Sequence, residues 1–141
     1  MRRQGTKCPE EKKNGKKSTK CCCHVLTSFD EHVKEIFDMV YKHPEKFPIK
    51  NIGGYAWRVP RSNGKLSEHN YGTCIDMNYM ENPYIVDGKV VVGKKWEPGV
   101  NPYSITKESS LVNAFRKYEW SWGGADWGNP IDYMHFSYLG H

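Results

Sequence analysis

Two stretches of this chain acquire a shared chemistry only if the fold brings them together: Ser67-Glu68-His69-Asn70-Tyr71-Gly72-Thr73-Cys74-Ile75-Asp76, and the run Asp132-Tyr133-Met134-His135 near the C-terminus. Two imidazoles and one carboxylate, His69, His135 and Asp76, are a suitable ligand set for a catalytic zinc. They can hold the ion in tetrahedral geometry and leave the fourth position to water. A separation of seven would put His69 and Asp76 roughly on one helix face. Gly72 and the pattern of Cys74, Ile75, Asp76 and Met77 read instead as a loop running into a strand. The arrangement is therefore not the helical His-Glu-x-x-His kind of site.

A chain of 141 residues is one domain, with room for a real core and none for a second. Its aromatic fraction of 13% argues against disorder throughout. Charge is unevenly placed: residues 1–20 carry eight Lys and Arg against Glu10 and Glu11, a net of +6, and the rest of the chain a net of −1. A nearly neutral body does not suit a nucleic-acid groove, whereas a basic tail can attract a polyanion or stay a solvated end. Residues 1–24 are accordingly read as a basic, Cys-containing tail, expected to be disordered, and 25–141 as the folded domain. Five cysteines, with Cys21, Cys22 and Cys23 adjacent and Cys8 and Cys74 apart, make a poor disulfide framework. Cys8, Cys21 to Cys23 and His24 could together bind a metal, though their spacing fits no zinc-knuckle pattern. No apolar run precedes the cysteines, so no secretory signal or lipid anchor is visible, and no stretch approaches transmembrane length.

Ser28 followed by Glu31 reads as a capping box. It opens an amphipathic helix with Phe29, Val33, Ile36, Phe37, Val40 and Tyr41 on its apolar face, ending at His43-Pro44. Ile52 to Arg58 reads as a strand with paired glycines, and Val59 to Lys65 as a loop leading to His69. Asp87-Gly88 between Tyr84–Val86 and Lys89–Val92 predicts a hairpin with a type I′ turn. Thr106 is positioned to cap a helix carrying Leu111, Ala114, Phe115 and Tyr118. A last strand is expected around Met134 to Tyr138. Helices and strands that do not alternate strictly imply a small α+β domain, an antiparallel sheet packed by helices.

Ser67-x-His69-x-x-Gly72-x-x-x-Asp76, Trp122-Gly123-Gly124 and Asp132-x-x-His135-Phe136, in that order, resemble the zinc peptidases of bacterial cell walls. These are the D-alanyl-D-alanine carboxypeptidases of the VanY type and the L-alanyl-D-glutamate endopeptidases of autolysins and phage endolysins. The likeness runs from about Ile36 to Tyr138. It implies the fold shared by these enzymes and the hedgehog signalling domain, with His69, Asp76 and His135 as zinc ligands and Asp132 as general base. Arg58, in Tyr55-Ala56-Trp57-Arg58, matches the arginine that faces the substrate. Cys74 stands two before Asp76 where relatives usually carry alanine, as core filler or as a competing metal contact, and Ala125 lengthens the run that follows Trp122-Gly123-Gly124.

The chemistry implied is hydrolysis of peptidoglycan stem peptides, first as a D-alanyl-D-alanine carboxypeptidase and alternatively as an L-alanyl-D-glutamate endopeptidase. Asp132 would move the proton and Arg58 would stabilise an oxyanion or fix a substrate carboxylate. Ser67, Trp57, Tyr71 and Trp122 are expected to contact substrate, with Trp127 a further candidate for the cleft wall. For the tryptophans the competing role is core packing; for Asp132 it is orienting His135; for Arg58 it is a surface ion pair. A rival reading is a non-catalytic, metal-containing module that binds cell-wall peptide, against which the base beside an open coordination position speaks. The expected partner is the peptide substrate, not nucleic acid, and the expected state a monomer. It would act on the wall as a phage lysin or by another export route.

Overall fold

The computed structural model describes residues 30–60 and 63–140. The basic tail, the Ser28 cap and the cluster of Cys8, Cys21 to Cys23 and His24 lie outside these residues. Helix α1 spans Asp30–Lys42 and α2 Ser110–Lys117. The strands are β1 Ile52–Gly53, β2 Cys74–Met77, β3 Tyr84–Val86, β4 Lys89–Val92, β5 Ser121–Trp122, β6 Ile131–Asp132 and β7 His135–Ser137, with one 3-10 turn at Glu68–Asn70. They form two antiparallel sheets, a four-stranded one in the order β1-β2-β7-β5 and a three-stranded one in the order β4-β3-β6. The class is α+β, as expected, with two sheets where one was anticipated. No helix among the described residues is long and apolar enough to cross a membrane.

The four-stranded sheet sorts its side chains by the two-residue period of a strand. Ile75 and Met77 on β2, Phe136 on β7 and Trp122 on β5 turn toward the helices and join Ile36, Val40, Leu111 and Phe115 in the core. Phe115 stacks on Phe136 with centroids 4.1 Å apart, and Tyr118 donates its hydroxyl to Glu35, tying α2 to α1. The alternate residues, Cys74 and Asp76 on β2 and His135 and Ser137 on β7, share the opposite face. The register places Asp76 beside His135 and Cys74 beside Ser137. One face therefore carries the core and the other the chemistry.

Several local expectations are corrected. The strand expected over Ile52 to Arg58 ends at Gly53, because beyond it the chain docks on the 3-10 turn. Ala56 N–H donates to His69 O at 3.0 Å, Arg58 N–H donates to Asn70 Oδ1 at 3.1 Å and Asn70 Nδ2 to Arg58 O at 2.6 Å. The cap of α2 is Ser109, whose hydroxyl accepts from Val112 N–H at 3.3 Å. Thr106 only closes the preceding turn through Ser109 N–H. Tyr41, placed by periodicity on the apolar face of α1, is 75% exposed, with the Lys46 ammonium over its ring. The hairpin agrees with its turn chemistry: Asp87 and Gly88 both take positive φ, 49° and 75°, as a type I′ turn requires.

Candidate metal centre

Three elements bring the ligand candidates together. The 3-10 turn carries His69, with the Ser67 hydroxyl accepting from His69 N–H at 3.4 Å, and Gly72 closes the loop at φ 68° before β2 begins. Asp76 on β2 and His135 on β7 are register partners. The Asp76 carboxylate lies between the two rings, Oδ2 at 3.0 Å from His69 Nε2 and Oδ1 at 2.9 Å from His135 Nδ1.

The far nitrogen of each ring is held as well. His69 Nδ1 lies 2.6 Å from Gly54 O, and since a carbonyl only accepts, Nδ1 carries a proton. His135 Nε2 faces Glu68 Oε2 at 2.9 Å, and Glu68 is steadied through Oε1 by the Ser137 hydroxyl at 2.7 Å. The nitrogens facing Asp76, His69 Nε2 and His135 Nδ1, are the ones that a metal would take in exchange for their protons. A backbone carbonyl behind one imidazole and a carboxylate behind the other is the arrangement that orients metal-binding histidines. The residues therefore fit a divalent ion with nitrogen and oxygen donors.

Electrostatics carry the same imprint. Burial alone would depress the His69 imidazolium, but hydrogen bonds to Asp76 and Cys74 raise it to about 10. Burial likewise opposes protonation of His135, and Asp76, Cys74 and Glu68 together hold it well above the ordinary value. Desolvation would push the half-buried Asp76 carboxyl up, but the two rings hold it well below the usual carboxylate range. A positive ion in place of the two protons would satisfy the same carboxylate.

Asp132 lies on β6, its N–H donating to Gly123 O at 2.9 Å. Its Oδ1 is buried without a hydrogen-bond partner among the described residues. Burial raises its carboxyl to about 6, against the opposing pull of His135. The Trp122-Gly123-Gly124 run explains this proximity: a Cβ on Gly123 would stand 2.5 Å from Asp132 O and 2.9 Å from the Trp127 ring. Only glycine lets β6 and Trp127 close on this turn. The Trp127 ring packs 5.2 Å from the His135 ring, and Asp126 anchors the turn by accepting from Trp122 N–H at 2.7 Å.

A cleft of about 310 Å³ opens beside the cluster, lined by Arg58, Asp76, Ile52, Gly53, Tyr79, Val92, Asn51 and Met134. Among the described residues the Arg58 guanidinium makes no ion pair, so the surface-pair role weighed for it has no partner here. The residues expected against substrate are distributed differently. Trp122 is 2% exposed and packs in the core, its Nε1–H donating to Tyr133 O, because its strand position falls on the helix side of the sheet. Ser67 acts as the cap of the turn that carries His69. Trp57 and Tyr71 are exposed and stand outside the cleft lining. Glu68, which orients His135, was not singled out from the sequence; the available signal was a carboxylate adjoining His69 on a turn.

An α+β domain that converges two imidazoles and a carboxylate beside a cleft, with a second, half-buried carboxylate close by, defines the class of metal-centred hydrolases. The family model described as D-alanyl-D-alanine carboxypeptidase matches residues 61–138, more than half of the chain, and the chain belongs to that family of zinc-dependent peptidases. The matched stretch contains His69, Asp76, Asp132 and His135, and begins just after Arg58. No curated protein and no solved structure matches the chain significantly.

Proposed function

We propose that the chain is a monomeric zinc peptidase that hydrolyses peptidoglycan stem peptides as a D-alanyl-D-alanine carboxypeptidase. The observation that carries this reading is the Asp76 carboxylate held between His69 Nε2 and His135 Nδ1, at the wall of a cleft that also contains Arg58. His69, Asp76 and His135 would hold the ion. When bound, the metal supplies Lewis acidity toward the scissile carbonyl and acidifies water at neutral pH.

The rest falls to the chain. Asp132, with its carboxyl raised to about 6, is ionised at neutral pH yet more basic than an exposed aspartate. It would take a proton from the attacking water and return it to the departing amine. Arg58 presents a planar fork to the cleft, suited to a substrate carboxylate. That cation favours an exopeptidase, whose substrate ends in a free carboxylate, over an L-alanyl-D-glutamate endopeptidase. Gly53 and Ile52 line the cleft from the outer strand of the four-stranded sheet, where an extended peptide can pair with a free edge.

Muropeptide digestion followed by mass spectrometry tests the proposal. Loss of a terminal D-alanine supports it, a cut between L-alanine and D-glutamate replaces it with the endopeptidase reading, and intact muropeptides with zinc-loaded protein overturn both. In the last case a wall-binding module would remain.

A further inference from the structure

A second cation stands next to the cleft lining, and the proposed reaction does not use it. The cleft runs along β1, whose Gly53 is the register partner of Asp76 and so marks the metal end. Away from the metal the lining passes through Ile52 to Asn51 and Tyr79, and Lys50 adjoins Asn51. From Gly53 to Lys50 is three residues of chain, about 10 Å when extended. The Lys50 ammonium lies 2.6 Å from Glu81 Oε1 and 5.4 Å from the centre of the Tyr103 ring. Glu81, by hydrogen bond and by charge, holds it above its ordinary pKa, and Tyr103 and the cleft residue Tyr79 add to this.

Asn78, fully buried and at φ 46°, fixes this corner. Its Oδ1 accepts from Lys50 N–H at 2.7 Å and from Asn51 N–H at 3.3 Å, and its Nδ2 donates to Pro48 O at 3.0 Å. Asn51 Oδ1 in turn accepts from Tyr79 N–H at 3.2 Å. The main chain under Lys50 is thus set by Asn78 and the side chain by Glu81, yet that side chain stays 53% exposed. An ammonium has three donors and Glu81 engages one of them, which leaves donors for a ligand.

We propose that Lys50 is a specificity-determining residue of the cleft and takes a substrate carboxylate carried two or three residues upstream of the scissile bond. The inference rests on the peptidase reading given above. A peptide added to the β1 edge with its scissile carbonyl at the metal end lays its acyl side along Ile52 and Asn51. Paired strands advance at the same rise per residue, so the second or third residue before the cut comes within reach of the Lys50 side chain. Stem peptides offer the matching group, because a γ-linked D-glutamate leaves its α-carboxylate free. Arg58 then meets the terminal carboxylate and Lys50 the upstream one, and the substrate is bracketed by two cations.

The test is release of D-alanine by the zinc-loaded full chain from two synthetic stem pentapeptides, one with the D-glutamyl α-carboxylate free and one with it amidated. The parent should show a KM about 2- to 5-fold lower for the free acid, the size of an exposed ion pair, with kcat the same for both. High salt should remove that preference by screening. Lys50→Gln should erase it by raising KM for the free acid alone, and Lys50→Arg should retain it. Should Lys50→Gln fold poorly because Glu81 loses its partner, the parent's preference and its salt dependence decide the question. Equal KM for the two peptides in the parent, or an equal loss on both in Lys50→Gln, overturns the proposal and leaves the peptidase reading intact. A zinc-loaded chain that releases D-alanine from neither peptide overturns both.

Discussion

The two sides of the cleft are built on different principles. On the metal side every group is over-determined: His69 is held by Gly54 and Asp76, His135 by Asp76 and Glu68, and Glu68 by Ser137. On the side proposed to meet substrate, Arg58 is exposed and its backbone is anchored to the Asn70 side chain, with Trp57 beside it open to solvent. On the proposed reading the metal ligands rest on a braced turn and two paired strands, and Arg58 on a loop, a division between precision and adaptability.

The largest effect should come from breaking the over-determined side at its centre. Asp76→Ala removes the carboxylate shared by two buried rings. It is expected to abolish zinc binding and turnover, and to cost the metal-free protein about 3–5 kcal/mol at neutral pH, since two imidazolium groups lose their counter-charge. The pH dependence of the parent gives the same test without mutation. Both histidines lie above the unfolded value of 6.5, His69 at about 10. Their pairing contribution is thus complete below pH 6.5 and disappears as pH rises through about 10. Melting of metal-free protein should fall across that range while zinc-loaded protein holds steady; parallel curves would refute the ion-pair account.

Asp132→Asn comes next. Turnover should drop by about 10²- to 10⁴-fold with zinc retained, and metal analysis alongside the kinetics separates a lost base from a lost ion. The acid limb of the parent's kcat/KM should lie at or below the raised value of about 6, because the base must be ionised and a bound cation pulls its pKa down. The fold itself prefers Asp132 protonated. Its carboxyl contributes stability at low pH that is lost as pH rises through about 6, so metal-free Asp132→Asn should melt higher than the parent at pH 8.

Much of the metal side is legible in the sequence because its rules are local or periodic. His69, Asp76 and His135 can be picked out by residue type, and the turn at Asp87-Gly88 by its required φ. What periodicity does not reveal is which face each strand residue takes before the pairing is known. Trp122 reads equally well as cleft wall or core, and only the pairing of β5 with β7 beside Phe136 decides for the core. The strand expected beyond Gly53 fails for a similar reason: Asn70 satisfies that backbone from twelve residues away, and side-chain mimicry of a strand leaves no periodic trace. Glu68 escapes notice because its partners, His135 and Ser137 on β7, lie more than sixty residues away in sequence.

Glu68→Ala tests whether the outer layer matters. Loss of the carboxylate behind His135 Nε2 should weaken zinc about 10- to 100-fold, as measured by competition with a chelator. Activity at saturating zinc should change far less. Unaltered affinity would mean that Asp76 alone orients the ring.

The smallest effect is expected on the loop side, and it is the one that discriminates most finely between modes of peptide recognition. Arg58→Ala leaves the main-chain bonds to Asn70 in place, so neither zinc affinity nor melting should move. If the guanidinium holds a terminal carboxylate, losing a charge-assisted hydrogen bond of about 1.5–3 kcal/mol lowers kcat/KM at least tenfold. That loss should fall mainly on KM, and it should vanish for a substrate whose terminus is amidated. If it steadies the developing oxyanion instead, the loss falls on kcat and persists with the amide. An unchanged kcat/KM on both substrates would remove Arg58 from the reaction and leave recognition to the edge of β1.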